Sequence, residues 1–106
     1  MKRLEEGWTY NFIFTVTNSS TKDGSPCEAP LDVAWAAHTP SVTLLSPERF
    51  TYVFGPGEKK TWNKPVTIPY GHQGEQGNVI LRVYDPDGKV LAQHIVDFEI
   101  TWKYWG

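Results

Sequence analysis

Strict alternation of apolar and polar residues is the feature that most constrains how this chain can fold. From Trp8 to Thr17 every even-numbered residue is aromatic or aliphatic, and every odd-numbered residue except Ile13 is polar. Successive side chains of a β-strand point to opposite faces, so this pattern predicts a strand with one buried face. It also predicts that Trp8 points into the core.

Six further segments show strand character, and together with the first they predict about seven strands. The clearest is the alternation of Leu31, Val33, Trp35 and Ala37, which Pro40 ends. The others cover residues 42–45, 50–54, 59–68, 79–84 and 90–102. No segment predicts a helix. In the last segment the alternation fails between residues 91 and 95, which predicts a bulge or a stretch that is covered on both faces.

Turn-forming residues separate these strands. GPG at 55–57 predicts a tight reversal, and DPDG at 85–88 predicts a hairpin turn in which Asp85 and Asp87 act as turn formers rather than calcium ligands. GHQGEQG at 71–77 has three glycines and predicts a flexible loop. Asn18 begins an N-x-S pattern inside a polar segment, and we interpret it as part of a turn rather than as a glycan acceptor.

Trp62 lies among three lysines and invites two interpretations, a binding platform or a core residue. Its parity matches the aliphatic residues of the same segment, which favours the core. Lys60 and Lys64 share that parity, and we expect their stems to lie along apolar surface with the ammonium groups in water. Pro65 lacks an N–H, so the segment is predicted to be an edge strand.

The length of 106 residues fits one domain, with strand pattern from about residue 8 to 104. Short strands with frequent turns in a chain of this size predict an all-β fold, an antiparallel immunoglobulin-like β-sandwich of about seven strands, with a small barrel as the alternative. With one cysteine, Cys27, the chain can form no internal disulfide.

The order of FTVTNSS, LSP, GPGEKKTW, VTIP and VILRVYDPDGKVLA resembles CARDB and fibronectin type III-like modules along nearly the whole chain. That resemblance implies an immunoglobulin-like module of the kind found in surface proteins. The layout is also similar to small bacterial intracellular proteinase inhibitors and to immunoglobulin-like viral decoration proteins. The expected location follows the context: outside the cell or on its surface for a domain of a longer chain, otherwise the cytoplasm or a virion.

The sequence offers little for catalysis, and we predict no enzyme, no cofactor and no metal site. Cys27 lies in a loop without a nucleophile signature. His38, His72 and His94 fall on separate segments without metal-ligand spacing. Asp97 and Glu99 share a strand face but are interpreted as part of a solvated surface.

Charge and hydropathy exclude two classes of partner. The net charge of −2 disfavours nucleic acid, because binding to phosphates depends on clustered Lys and Arg. No apolar run approaches the roughly 18 residues that span a bilayer, so no membrane insertion is predicted.

Aromatic residues supply the binding candidates. After Ile100 the sequence continues ITWKYWG, and we predict that at least one of these rings is exposed. The first hypothesis is an interaction or structural module that contacts a protein partner or itself through Trp102, Tyr104 and Trp105. The second is a polysaccharide-binding module in which exposed rings, Tyr70 among them, stack on sugars beside His72. The third is a proteinase inhibitor, which the glycine-rich 71–77 loop disfavours.

Overall fold

The computed structural model describes residues 1–102 and is all-β over that range. Nine strands follow one another along the chain, two of them only two residues long. They are β1 (Lys2–Glu5), β2 (Thr9–Thr17), β3 (Thr21–Lys22), β4 (Ser25–Pro26), β5 (Ala29–His38), β6 (Thr43–Phe54), β7 (Lys59–Thr67), β8 (Gln76–Tyr84) and β9 (Val90–Thr101). Residues 1–102 contain no helix with the length and apolarity that crossing a membrane would require.

Most of the strands belong to one five-stranded sheet with the order β1-β9-β8-β5-β6. Its pairs are antiparallel except for β1 and β9, which run parallel. A second sheet contains only β2 and β7, and β3 and β4 form a small hairpin. β1 was not predicted because its four residues contain a single buried apolar side chain, Leu4, which is too few to produce a pattern.

Side chains from both sheets meet in one main core. Phe14 and Val16 of β2 pack with Val33 and Trp35 of β5, and Trp62 of β7 lies against the same cluster. The rings of Phe14 and Trp35 stack with centroids 4.9 Å apart and planes only 6° from parallel. The prediction that Trp62 belongs to the core is confirmed. A second, smaller cluster also lies between the two sheets. It contains Leu4, Val66, Ile68, Phe98 and Ile100.

The ammonium groups of two lysines beside Trp62 were expected in water but lie near aromatic rings. The Lys64 ammonium lies 5.5 Å from the centre of the Trp35 ring and 3.3 Å from a carboxylate oxygen of Glu48. The Lys60 ammonium lies 5.6 Å from the Tyr52 ring. Both half-buried lysines therefore place their charged ends beside aromatic rings, at distances that allow cation–π attraction.

Three predictions about the strands need correction or refinement. Trp8 is not in the core: it is 54% exposed, because it precedes β2 at the turn around Gly7. The two predicted segments, 42–45 and 50–54, are not separate strands: apart from Val42 they belong to the single long β6, which tolerates Pro47 because it is an edge strand. The irregularity near residue 91 is a bulge, since the register shifts between Val83 and Tyr84, but the neighbouring stretch is exposed rather than covered.

Both turn predictions are confirmed. The Asp85 carboxylate accepts hydrogen bonds from the Asp87 and Lys89 amides, each at 2.9 Å. Gly88 has φ +85°, a conformation that favours glycine. In the GPG turn the Glu58 amide donates to the Gly55 carbonyl at 3.1 Å.

Candidate functional site

Side chains of types that can take part in catalysis form a polar cluster in the loops after β5 and before β8. Thr39 and Ser41 both donate their hydroxyl hydrogens to the Oε1 atom of Glu75, each at 2.6 Å. His72 Nδ1 lies 2.8 Å from the Oε2 atom of Glu75. These hydrogen bonds, with that of Ser41 first, lower the pKa of Glu75 from its ordinary value of 4.5 to about 2.

This cluster contains a serine, a histidine and a glutamate, but it lacks the arrangement of a nucleophilic triad. A triad needs one imidazole nitrogen on the serine and the other on the acid. Here the same Nδ1 atom faces both, at 3.4 Å from Ser41 Oγ and 2.8 Å from Glu75. The Ser41 hydrogen is directed to the carboxylate, so the histidine is not placed to activate the hydroxyl.

The predicted 71–77 loop is shorter than expected, because Gln76 and Gly77 already belong to β8, and the cluster holds the remaining residues 71–75 in place. Gly74 N–H donates to the Ile100 carbonyl at 2.7 Å, and Ile100 N–H donates back to the Glu75 carbonyl at 2.9 Å. Gly71 N–H donates to Glu6 Oε2 at 2.6 Å. The loop is therefore anchored at both ends and through a side chain, which its glycine content did not indicate.

Other candidates remain apart. No group of three or more His, Cys, Asp or Glu side chains in residues 1–102 is arranged to hold a metal ion. His38 lies on β5 and His94 on β9, and both are exposed, whereas His72 lies in the loop before β8. Cys27 is half-buried between β4 and β5, and its carbonyl accepts a hydrogen bond from Asn18 Nδ2 at 2.8 Å.

Three exposed aromatic residues belong to segments that meet at the turn of residues 5–7. Tyr70 is 65% exposed and its ring lies over Gly7. Trp8 follows that turn, and Trp102 is 63% exposed directly after Thr101, whose carbonyl accepts a hydrogen bond from Glu6 N–H at 3.1 Å. We call Trp8, Tyr70 and Trp102 the aromatic end.

The aromatic end includes two residues that the sequence pointed to and one that it did not. Trp102 and Tyr70 were candidates, and His72 lies in the loop that follows Tyr70. Trp8 was missed because parity assigned it to the core. Tyr104 and Trp105 lie outside the described residues.

A second surface feature is an open channel that the sequence did not predict. It runs along β2, with Phe12 and Phe14 as its wall and the inner face of β8 and β9 as its floor. We call it the β2 groove. The larger part of the groove has a volume of about 400 Å³. A second part, with a volume of about 240 Å³, extends from Thr15 toward Ser20. No family model and no curated protein matches this chain.

Proposed function

We propose that this chain is a non-enzymatic interaction module with an immunoglobulin-like β-sandwich, and that it assembles with copies of itself through the aromatic end. The observation that carries the proposal is that three exposed aromatic residues, Trp8, Tyr70 and Trp102, belong to backbone segments that meet at one turn. Tyr and Trp are enriched at protein interfaces, because each combines a large apolar surface with a polar group. A CARDB-like or fibronectin type III-like relationship is part of this proposal.

The arrangement of the strands supports the immunoglobulin-like assignment. Seven strands have four or more residues, and two sheets share one aromatic core. The polar cluster supports the non-enzymatic part, because Glu75 engages the Ser41 hydroxyl directly. Its hydrogen bonds also fix a loop next to the aromatic end, which would limit the ordering cost of an interface there.

The test is the solution mass by size-exclusion chromatography with light scattering over a range of protein concentrations. We expect the full chain to associate. A truncation after Thr101 and the double variant Trp8→Ala/Tyr70→Ala should be monomers with unchanged circular dichroism. Val53→Ala is the control. Val53 is an exposed apolar residue on β6 and does not belong to the aromatic end, so this variant should associate normally. A full chain that is monomeric at every concentration would overturn self-assembly.

A second candidate function is polysaccharide binding at the same end. It is favoured by the position of Tyr70 next to the loop that carries His72 and the exposed Gln73, since sugar sites combine rings with hydrogen-bonding side chains. The measurement is tryptophan fluorescence during titration with a broad glycan panel. A change that Tyr70→Ala removes would support this function, and no change with any glycan would reject it.

A further inference from the structure

The β2 groove exists because the smaller sheet has too few strands to cover the larger one. β2 pairs with β7 on one side and has no strand partner on the other within residues 1–102. On the five-stranded sheet, β9 and β1 lie beyond β8. The second half of β9 is covered, since Phe98 and Ile100 are buried beside Leu4 of β1. The first half of β9, residues 90–95, is exposed and has no second layer over it within residues 1–102.

The floor of the β2 groove is built from paired side chains of β8 and β9. Val79 lies opposite Val96, Leu81 opposite His94, and Val83 opposite Ala92. Val83 is buried, so its cross-strand partner Ala92 also lies on the inner face. Ala92 and His94 are nevertheless exposed, because nothing in residues 1–102 covers them.

The open edge of β2 presents unpaired backbone groups above this floor. At the two ends of the strand, Ile68 N–H donates to the Trp8 carbonyl at 2.9 Å, and Asn18 N–H donates to the Glu58 carbonyl at 2.8 Å. Even-numbered residues therefore bond toward β7. In an antiparallel pair the alternate residues point the other way, so the N–H and C=O groups of Asn11, Ile13 and Thr15 face the groove side.

This edge also lacks the features that normally prevent strand pairing. Natural edge strands carry charges, prolines or bulges for this purpose. The other edges of the two sheets have them: Lys2 and Arg3 on β1, Pro47, Glu48 and Arg49 on β6, and Lys59, Lys60, Lys64 and Pro65 on β7. β2 reads TYNFIFTVT and contains no charge, proline or glycine.

The charges at the β2 groove limit what it can accept. Lys2 is the only Lys, Arg, Asp or Glu among the described lining residues, and His94 is the only histidine. None of the lining residues within 1–102 is Asp or Glu, although the chain has 12 acidic residues. An occupant with lysine or arginine facing the floor would meet like charge, whereas a carboxylate there would be complementary.

We propose that the β2 groove binds an extended segment of a partner protein, which adds a strand to the open edge of β2. The segment has apolar side chains at alternate positions and neutral or acidic residues facing Lys2 and His94. The part of β2 that lines the groove, Tyr10 to Thr17, spans about 24 Å at about 3.4 Å per residue, so the site accepts roughly eight residues. Backbone hydrogen bonds supply affinity, and the alternate side chains supply specificity.

The part of the larger sheet that extends past the open edge of β2 argues against a second copy, bound through its own β2 strand, as the occupant. In a continuous β7-β2-β2-β7 sheet with both inner faces on the same side, the β9 and β1 strands of the two copies would need the same space. A single extended segment without a sheet beneath it avoids that collision. This proposal is independent of the aromatic end, so either one can fail alone.

The experiment uses two synthetic peptides and the Trp8→Ala/Tyr70→Ala variant, which should not associate through the aromatic end. The peptide VTVTETVTV presents valines and a central glutamate on one face, and VTVTKTVTV replaces that glutamate by lysine. Binding to the Trp8→Ala/Tyr70→Ala protein is measured by fluorescence anisotropy of the labelled peptides. We expect the glutamate peptide to bind more tightly than the lysine peptide, with a difference that shrinks at high salt.

Two pairs of variants locate the binding. Thr15→Pro removes an N–H that faces the groove side and leaves the backbone hydrogen bonds to β7, so it should weaken binding by at least about tenfold. Thr15→Ala loses the same side-chain hydrogen bond to Thr61 but keeps the N–H, and it should bind normally. Ala92→Trp fills the groove from its floor without changing β2 and should have the same effect. Ile95→Trp is its control, because Ile95 pairs with Ile80 on the outer face.

The proposal is overturned if neither peptide binds, or if Thr15→Pro and Ala92→Trp bind as well as their controls. It is also overturned if the background protein forms dimers that Ala92→Trp abolishes, since the occupant would then be a second copy. Hydrogen exchange of the peptide-free monomer provides a further check. Protected amides at Asn11, Ile13 and Thr15 would mean that the chain covers its own edge.

Discussion

The rings of Trp35 and Trp62 lie with centroids 5.7 Å apart and planes inclined at 57°, which joins the five-stranded sheet to the β2–β7 pair. Trp62 also contacts Phe50, Tyr52 and Phe54 of β6, with centroid distances from 5.3 to 6.3 Å. Edge-to-face contacts of this kind add stability beyond the apolar area that they bury. Trp62 is therefore the main contact of β7 with the aromatic part of the core.

Replacement of Trp62 by alanine should destabilise the fold by about 3 kcal/mol, because it removes four ring contacts and leaves a cavity between the sheets. The measurement is urea unfolding followed by circular dichroism. Trp8→Ala is the matched control: its ring is 54% exposed, and the change should stay within about 0.5 kcal/mol. Equal losses for the two variants would contradict the assignment of Trp62 to the core.

Glu75→Gln should change how stability depends on pH. The pKa of Glu75 is lowered in the folded protein to about 2 from an ordinary 4.5. The carboxylate therefore stabilises the fold above pH 4.5, and this contribution is lost as the pH falls from 4.5 toward 2. Urea unfolding at several pH values should show a gap between wild type and variant that closes in this window. Glu28→Gln, at an exposed position, should leave the profile unchanged.

Gly77→Ala should destabilise the five-stranded sheet by about 1–3 kcal/mol, since a side chain does not fit there. A Cβ atom at Gly77 would overlap the His38 carbonyl oxygen and lie 3.0 Å from the Phe98 ring. Thermal unfolding measures the loss. Gly55→Ala is the control, because its Cβ would meet only Glu58 at 3.6 Å. If the Tm of Gly77→Ala equals that of Gly55→Ala, the strands around Gly77 move apart without loss of stability, and the prediction is wrong.

Asn18→Ala should cost about 2 kcal/mol, because the side chain is 2% exposed and fully engaged. Its Nδ2 group donates to the carbonyls of Cys27 at 2.8 Å and Gly55 at 2.9 Å, and its Oδ1 atom accepts from Ser20 N–H at 3.0 Å. Chemical denaturation checks the value against Asn63→Ala, a change at an exposed position on β7. Full stability of Asn18→Ala would mean that water replaces these bonds.

The candidate site was only partly predictable. Trp102 was singled out because it lies where the last strand was expected to end, and Tyr70 because it lies beside the polar side chain of His72. Trp8 has the same parity as Phe14, and nothing in the sequence separates a ring just before a strand from one at its centre. The polar cluster was invisible because Ser41 and Glu75 are 34 residues apart and meet through loops.

Local rules account for what the sequence by itself determined. Alternation identified the all-β class and the buried faces around Phe14, Val33 and Trp62, since the period of two residues is a property of the strand itself. Turn chemistry located the reversals at 55–57 and 85–88, where glycine and aspartate act on their own backbone. These features need no knowledge of distant parts of the chain.

Only the tertiary structure decided which strands become neighbours, and that choice produced the surfaces available for binding. The pairing of β2 with β7 alone, and the extension of the larger sheet by β9 and β1, left an open edge above an apolar floor. His94 and Ala92 have the pattern of buried residues yet remain exposed. The physical reason is that burial requires a second layer, and its position follows from long-range strand pairing, which local alternation does not encode.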